Sequence, residues 1–190
     1  MPTFLYPRHR VFLSFHHAND EEYKLRFEKR FHEAERILHS RSVKDGDINP
    51  RLPAEEIRKI IRDDYLKDST VTVVLVGTET WRRKHVDWEI SSSLRDMPGN
   101  RRSGLVGLLL PSRSWRNDFW GQQPSTMPQR LMLNVACGYA KLYEWTDDAQ
   151  EMGRIVHEAW LQRTGSIAPK LGPAILQQNI SSAAKGWAKP

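Results

Sequence analysis

At 190 residues the chain is long enough for one full hydrophobic core and short for two. With 29 Lys and Arg against 23 Asp and Glu, the net charge is +6, a basic balance that by itself does not choose among nucleic acid, an anionic membrane and an anionic small molecule. The single cysteine, Cys137, excludes an internal disulfide and argues against a cysteine-based zinc site.

The opening "MPTFLYPRHR" lacks the continuous apolar stretch of a signal peptide, and the longest apolar runs are strand-length, so a soluble, cytoplasmic protein is expected. "RVFLSF", Arg10 to Phe15, is short, apolar and flanked by polar residues, which predicts a buried strand. A helix follows, with Tyr23, Phe27, Phe31, Ala34 and Leu38 at spacings of three and four, and with Asn19 and Glu22 placed as a capping box. "SVKDGDINPRLP" is turn-rich and predicts an exposed loop from Lys44 to Pro53, leaving room for only a short strand. Pro53 then opens a second helix with Ile57, Ile60 and Ile61 inward.

"VTVVLVG", Val71 to Gly77, is a β-branched run with almost no alternation, the pattern of a strand buried on both faces. A helix over "TETWRRKHVDWEISSSL", a strand at Gly104 to Leu110, a strand at Tyr139 to Trp145 and a helix from Asp147 complete the alternation. Strands and helices in this order predict a small doubly wound α/β domain, flavodoxin-like, with a parallel sheet covered on both sides. Residues 111–138 read as a long loop or insertion holding Trp115, Phe119 and Trp120. The expected division is an N-terminal extension over 1–9, the domain over 10–164 and a C-terminal extension over 165–190 that either docks or dangles.

Ligands of such sheets sit at the carboxyl ends of the strands, here "SFHHAND", "GTETW" and "PSRSW". There is no GxGxxG after the first strand and no GxxxxGK[ST], which argues against a Rossmann oxidoreductase and a P-loop ATPase. No HxxH or HExxH pairing points to a metal site. On its helix Glu89 lies about 60° from Val86, at the border of the apolar stripe of Val86, Ile90 and Leu94. Two readings stand there: a solvated carboxylate paired with water, Arg82 or Arg83, or a group that looks into the crevice. Arg82, Arg83 and Lys84 oppose the helix dipole, which suggests an anionic neighbour such as a pyrophosphate.

Together "RVFLSFHHAND", "TVTVVLVG" and "KHVDWEI" resemble the TIR and TIR-like domain family, and within it the bacterial branch of the Thoeris anti-phage system. In that family a strand ending in Phe-Ser-Phe or Phe-Ser-Tyr leads to an acidic helix start, and a buried strand leads to a helix with a Trp-Val-x-x-Glu-Ile type motif. The resemblance spans Arg10 to Gln162. It implies an NAD-consuming enzyme in which Glu89 lies beside the nicotinamide ribose and is required to cleave the nicotinamide bond. NAD would be the substrate rather than a cofactor, and no metal is implied.

The family's tryptophan four residues before the glutamate is His85 here, while Trp88 stands next to it. Ring stacking is therefore expected from Phe15 or Trp81, and His16, Arg82 and His85 join them as expected substrate contacts. The resemblance also implies infection as the trigger, a separate effector that reads a cyclic or linear ADP-ribose-derived product, and self-assembly of TIR domains, with the loop from Lys44 to Pro53 as the assembly element. Two other functions remain open on the residues alone: a noncatalytic interaction module and an N-deoxyribosyltransferase-like enzyme. Nucleic-acid binding is weaker, because the positive charges are scattered among acids.

Overall fold

The structure is a computed structural model that describes residues 5–32, 43, 46–96, 101–112 and 126–187. Its frame is a four-stranded, wholly parallel sheet of β1 (Val11–Ser14), β2 (Val71–Val76), β3 (Gly104–Leu109) and β4 (Ala140–Glu144), in the spatial order 1-2-3-4. Val11 pairs with Val71, Val71 with Gly104 and Leu105 with Ala140, so the strands run in step. β1, β2 and β3 are buried at every position, as expected of parallel strands covered on both faces.

Alternate residues divide the core. Val11, Leu13, Phe15, Val71, Val73, Leu75, Val106 and Leu108 face one side, where they pack on Phe27 of α1 (His17–Phe27) and on Met152, Ile155, Val156 and Ala159 of α5 (Ala149–Arg163). The other face carries α2 (Ala54–Ile60), α3 (Lys84–Ser93) and α4 (Gln129–Ala136), packed through Ile57, Val86, Trp88, Ile90 and Leu131. Helices on both faces make the domain doubly wound. The chain after β1 turns to the first face and the chain after β2 to the second, so the crevice where the crossovers diverge opens at the carboxyl ends of β1 and β2.

Several local expectations change. α1 begins at His17 with His16 at its N-cap, so the capping box of Asn19 and Glu22 does not form; Asn19 lies inside the first turn. The His16 carbonyl takes the Asp20 N–H at 2.9 Å instead. α1 runs on as a π-turn over Glu28–His32, and Ala34 and Leu38 lie outside the described residues. α2 likewise ends in a π-turn at Ile61–Tyr65, with Ile57 and Ile61 fully buried. The segment before α3 contains a separate 3₁₀ turn, Thr80–Arg82.

Within residues 111–138, expected to be loop, lies the helix α4. Its inward face includes Arg130 and Asn134, both at most 1 % exposed, which broke the apolar period that would have revealed it. Trp115, Phe119 and Trp120 lie outside the described residues. The C-terminal extension docks. Ile175 is buried with Trp88, the Trp88 Nε1–H donates to the Leu176 carbonyl at 2.6 Å, and the Trp187 indole donates to the Met127 carbonyl at 2.5 Å.

Candidate active site

Glu89 sits in the second turn of α3, and the structure overturns its expected border position: it is 1 % exposed. The 60° offset from the apolar stripe leaves it at an edge of the isolated helix, but β1 and the residue-43 backbone close over that edge. Its partners are neither solvent nor Arg82 or Arg83. The Ser14 hydroxyl donates to Oε2 at 2.6 Å, and the Val43 backbone N–H donates to Oε1 at 2.7 Å. Burial pushes its pKa up to about 8, against the opposing pull of the Ser14 and Val43 hydrogen bonds. In this closed arrangement the carboxyl is mostly protonated at neutral pH. Tyr65 lies close enough to feel the Glu89 charge, and its hydroxyl donates to Asp47 Oδ2 at 3.1 Å.

The other expected site residues are spread over both faces of the sheet. Phe15 is 3 % exposed and belongs to the opposite core face, against the His17 ring at 4.3 Å. His16, 9 % exposed, caps α1 at the carboxyl end of β1. His85, 8 % exposed and one turn before Glu89, packs edge-on to the Trp88 ring at 5.1 Å.

Trp81 is 4 % exposed beneath the Arg82 guanidinium, 4.8 Å from its ring centre. It lines a cavity of about 30 Å³ with Arg83, Val86, Pro128, Arg130 and Trp187, room for a single water, and Glu89 is not in that lining. The anionic neighbour of the basic helix start is Glu79, which bonds Arg82 at 2.7 Å and lies 3.8 Å from Arg83. Arg82 also donates to the Ala184 carbonyl at 2.8 Å. The loop expected to be exposed is mixed: Asp47 is exposed while Ile48 is 3 % exposed. Lys44 and Asp45 lie outside the described residues.

Sequence reading missed four groups that shape this end of the sheet. Ser14 carried a signal, a lone hydroxyl inside an otherwise apolar strand. Asp20 carried another, because it lies seven residues before Phe27 and so on the apolar stripe of α1. Asp20 is 1 % exposed, and burial raises its pKa to about 6 against hydrogen bonds from Thr80 and the His16 backbone and the charge of Arg83. Thr80 and the Val43 N–H had no signal, since their roles depend on which loops meet. Among the described residues no cluster of three metal-ligating side chains occurs, and no helix is long and apolar enough to cross a membrane.

A parallel sheet wound on both faces, with an acid buried at the carboxyl end of its first strand on the helix that follows its second, defines a TIR-like α/β domain. The family model for the Thoeris protein ThsB, TIR-like domain, matches residues 12–114, more than half of the chain, and the chain belongs to that family. No curated protein matches it. β4, α5 and the docked C-terminal segment lie beyond the matched residues and complete the sheet and its covering layers.

Proposed function

We propose that this TIR-like domain cleaves NAD at the nicotinamide bond in anti-phage defence, with Glu89 as the catalytic carboxylate, and releases an ADP-ribose-derived, cyclic signalling nucleotide that a separate effector reads. The observation that carries the reading is the Glu89 carboxyl itself, removed from water beside the switch crevice and held by Ser14 and Val43. A carboxylic acid kept there against its solvation is costly for a merely structural group and suited to chemistry. Nicotinamide departs neutral, so no general acid is required. What develops is positive charge on the ribose, which an adjacent carboxylate stabilises while accepting hydrogen bonds from the ribose hydroxyls.

Glu89 does this only when ionised. On this reading the sealed, protonated state is the resting form, which spares the host its NAD until infection supplies a trigger. Opening the cover over Glu89 to substrate and water would remove the burial that raises its pKa, and where the regained solvation outweighs the lost Val43 hydrogen bond the carboxyl becomes charged. TIR–TIR assembly through the segment around Asp47 is the proposed means of holding that opened state.

The test is nicotinamide release from NAD by wild type and Glu89→Gln, in extracts of infected cells and as dilute purified protein. The variant keeps shape and hydrogen bonding, and its rate is expected to fall by about two to three decades. Equal release by both proteins would sink the assignment. A second reading, a noncatalytic TIR interaction module, draws on the same full burial of Glu89, and it predicts no nicotinamide release under any trigger.

A further inference from the structure

Asp20 and Thr80 come from two crossovers that leave the sheet toward opposite faces, yet they meet. The Thr80 hydroxyl donates to Asp20 Oδ2 at 3.1 Å and accepts the Gly77 N–H at 2.8 Å. The Asp20 carboxylate also takes a hydrogen bond from the His16 backbone. One buried carboxylate thus joins the end of β1 to the turn after β2, across the mouth of the switch crevice. Gly77 leaves room for it: a Cβ there would stand 2.3 Å from Asp20 Oδ1. Asp20, Gly77 and Thr80 therefore fit one another as a set.

An acid in this position weakens the fold at neutral pH, because its burial opposes ionisation and, among the described residues, no Lys or Arg hydrogen-bonds to it. An apolar residue would fill this position without that penalty. The turn it grips, Thr80–Arg82, carries Trp81 and Arg82. The charges that act on it are its own helix start and Arg83 from the turn leading into α3.

We infer that Asp20 is a positioning residue for the nucleotide substrate: through Thr80 it clasps the β1 and β2 loops and sets the width of the crevice beside Glu89. This rests on the NAD-cleaving reading above. An ionised Asp20 keeps the Thr80 hydroxyl turned toward it; without the charge that hydroxyl is free to turn to the Leu75 carbonyl, 3.3 Å away, and the two loops part. The effect falls on binding more than on bond cleavage, since neither group touches Glu89.

The experiment measures NAD binding by calorimetry in the full-length Glu89→Gln protein purified from infected cells, so that the opened state is present; on the NAD-cleaving reading this variant holds substrate and turns it over about two to three decades more slowly. Adding Asp20→Asn or Thr80→Val, the latter isosteric and lacking only the hydroxyl, is expected to weaken binding about tenfold, the effect of losing one hydrogen bond to a carboxylate. Thr80→Ser restores the hydroxyl and is expected to bring affinity back. In the Glu89 background the same substitutions raise KM more than they lower kcat. Unchanged affinity in Asp20→Asn and Thr80→Val overturns the clasp, as does equal weakening by Thr80→Val and Thr80→Ser with a matching drop in melting temperature. If the binding pattern appears but wild type releases nicotinamide no faster than Glu89→Gln, the cleavage reading fails and the clasp stands.

Discussion

Along one flank of α3, Glu89 is sealed by a hydroxyl from β1 and a single backbone N–H from residue 43. Along the other, the C-terminal segment is laid down by many bonds: the Asn179 side chain accepts the Lys84 N–H at 3.0 Å, Leu176 N–H donates to Asp87 Oδ2 at 2.9 Å, and Ile180 N–H donates to the Arg82 carbonyl at 2.9 Å. Arg130, 1 % exposed, completes that side by bonding Asp87 at 2.9 Å and the Pro173 carbonyl at 3.0 Å. The second flank is tied down by bonds between the C-terminal segment, α3 and α4 and reads as structure, although Arg130 Nη1 is buried without a hydrogen bond among the described residues. The first keeps an acid whose pKa burial displaces far upward, the perturbation on which the proposed catalytic role rests.

The largest effect that can break this contrast is the pH dependence of stability. Because the folded-state pKa of Glu89 is raised from 4.5 to about 8, its contribution is fully present below about pH 4.5 and is lost as pH rises through 8. At ~1.4 kcal/mol per pH unit this amounts to on the order of 5 kcal/mol. Asp20 adds a smaller loss of the same sign between its ordinary 3.8 and about 6. Urea unfolding at pH 5, 6.5 and 8 should show wild type weakening relative to Glu89→Gln by the Glu89 part, while two parts are common to both proteins: that of Asp20, and that of His9, whose pKa burial lowers to about 4 and which acts with the opposite sign up to pH 6.5. Parallel curves for the two proteins would mean that Glu89 is solvated, and the contrast would vanish.

Next in size is Trp88→Ala. The side chain is fully buried among Phe12, Ile57, Ile61 and Ile175, and its loss should cost about 3–5 kcal/mol by urea titration with little pH dependence. A cost below about 1 kcal/mol would show that the C-terminal segment does not hold this flank. The smallest effect is expected at the start of α3, where Asn179 serves as an N-cap supplied from 95 residues away. Asn179→Ala should cost about 1 kcal/mol and Asn179→Asp far less. Equal losses from both would point to the segment's backbone contacts, rather than the amide oxygen, as the capping element.

Local chemistry was enough for much of this. The β-branched run Val71 to Val76 and the apolar run Gly104 to Leu109 declare buried parallel strands wherever they are placed, and the spacing of Val86, Ile90 and Leu94 declares a helix. The motif order from "FLSF" to "WEI" likewise pointed to the family and to Glu89. Tertiary structure alone decided the rest. A helix position about 60° off the apolar stripe is an edge until something covers it, and only the meeting of β1, residue 43 and α3 made Glu89 a buried acid. Helix α4 stayed hidden because Arg130 and Asn134 occupy inward positions whose partners, Asp87, Pro173 and Lys170, are distant in sequence. The C-terminal segment docks mainly through backbone groups, which every residue carries, so no side-chain pattern could announce it. Asp20 and Thr80 are 60 residues apart, and only the divergence of the two crossovers at the end of the sheet brings a carboxylate from one loop to a hydroxyl on the other.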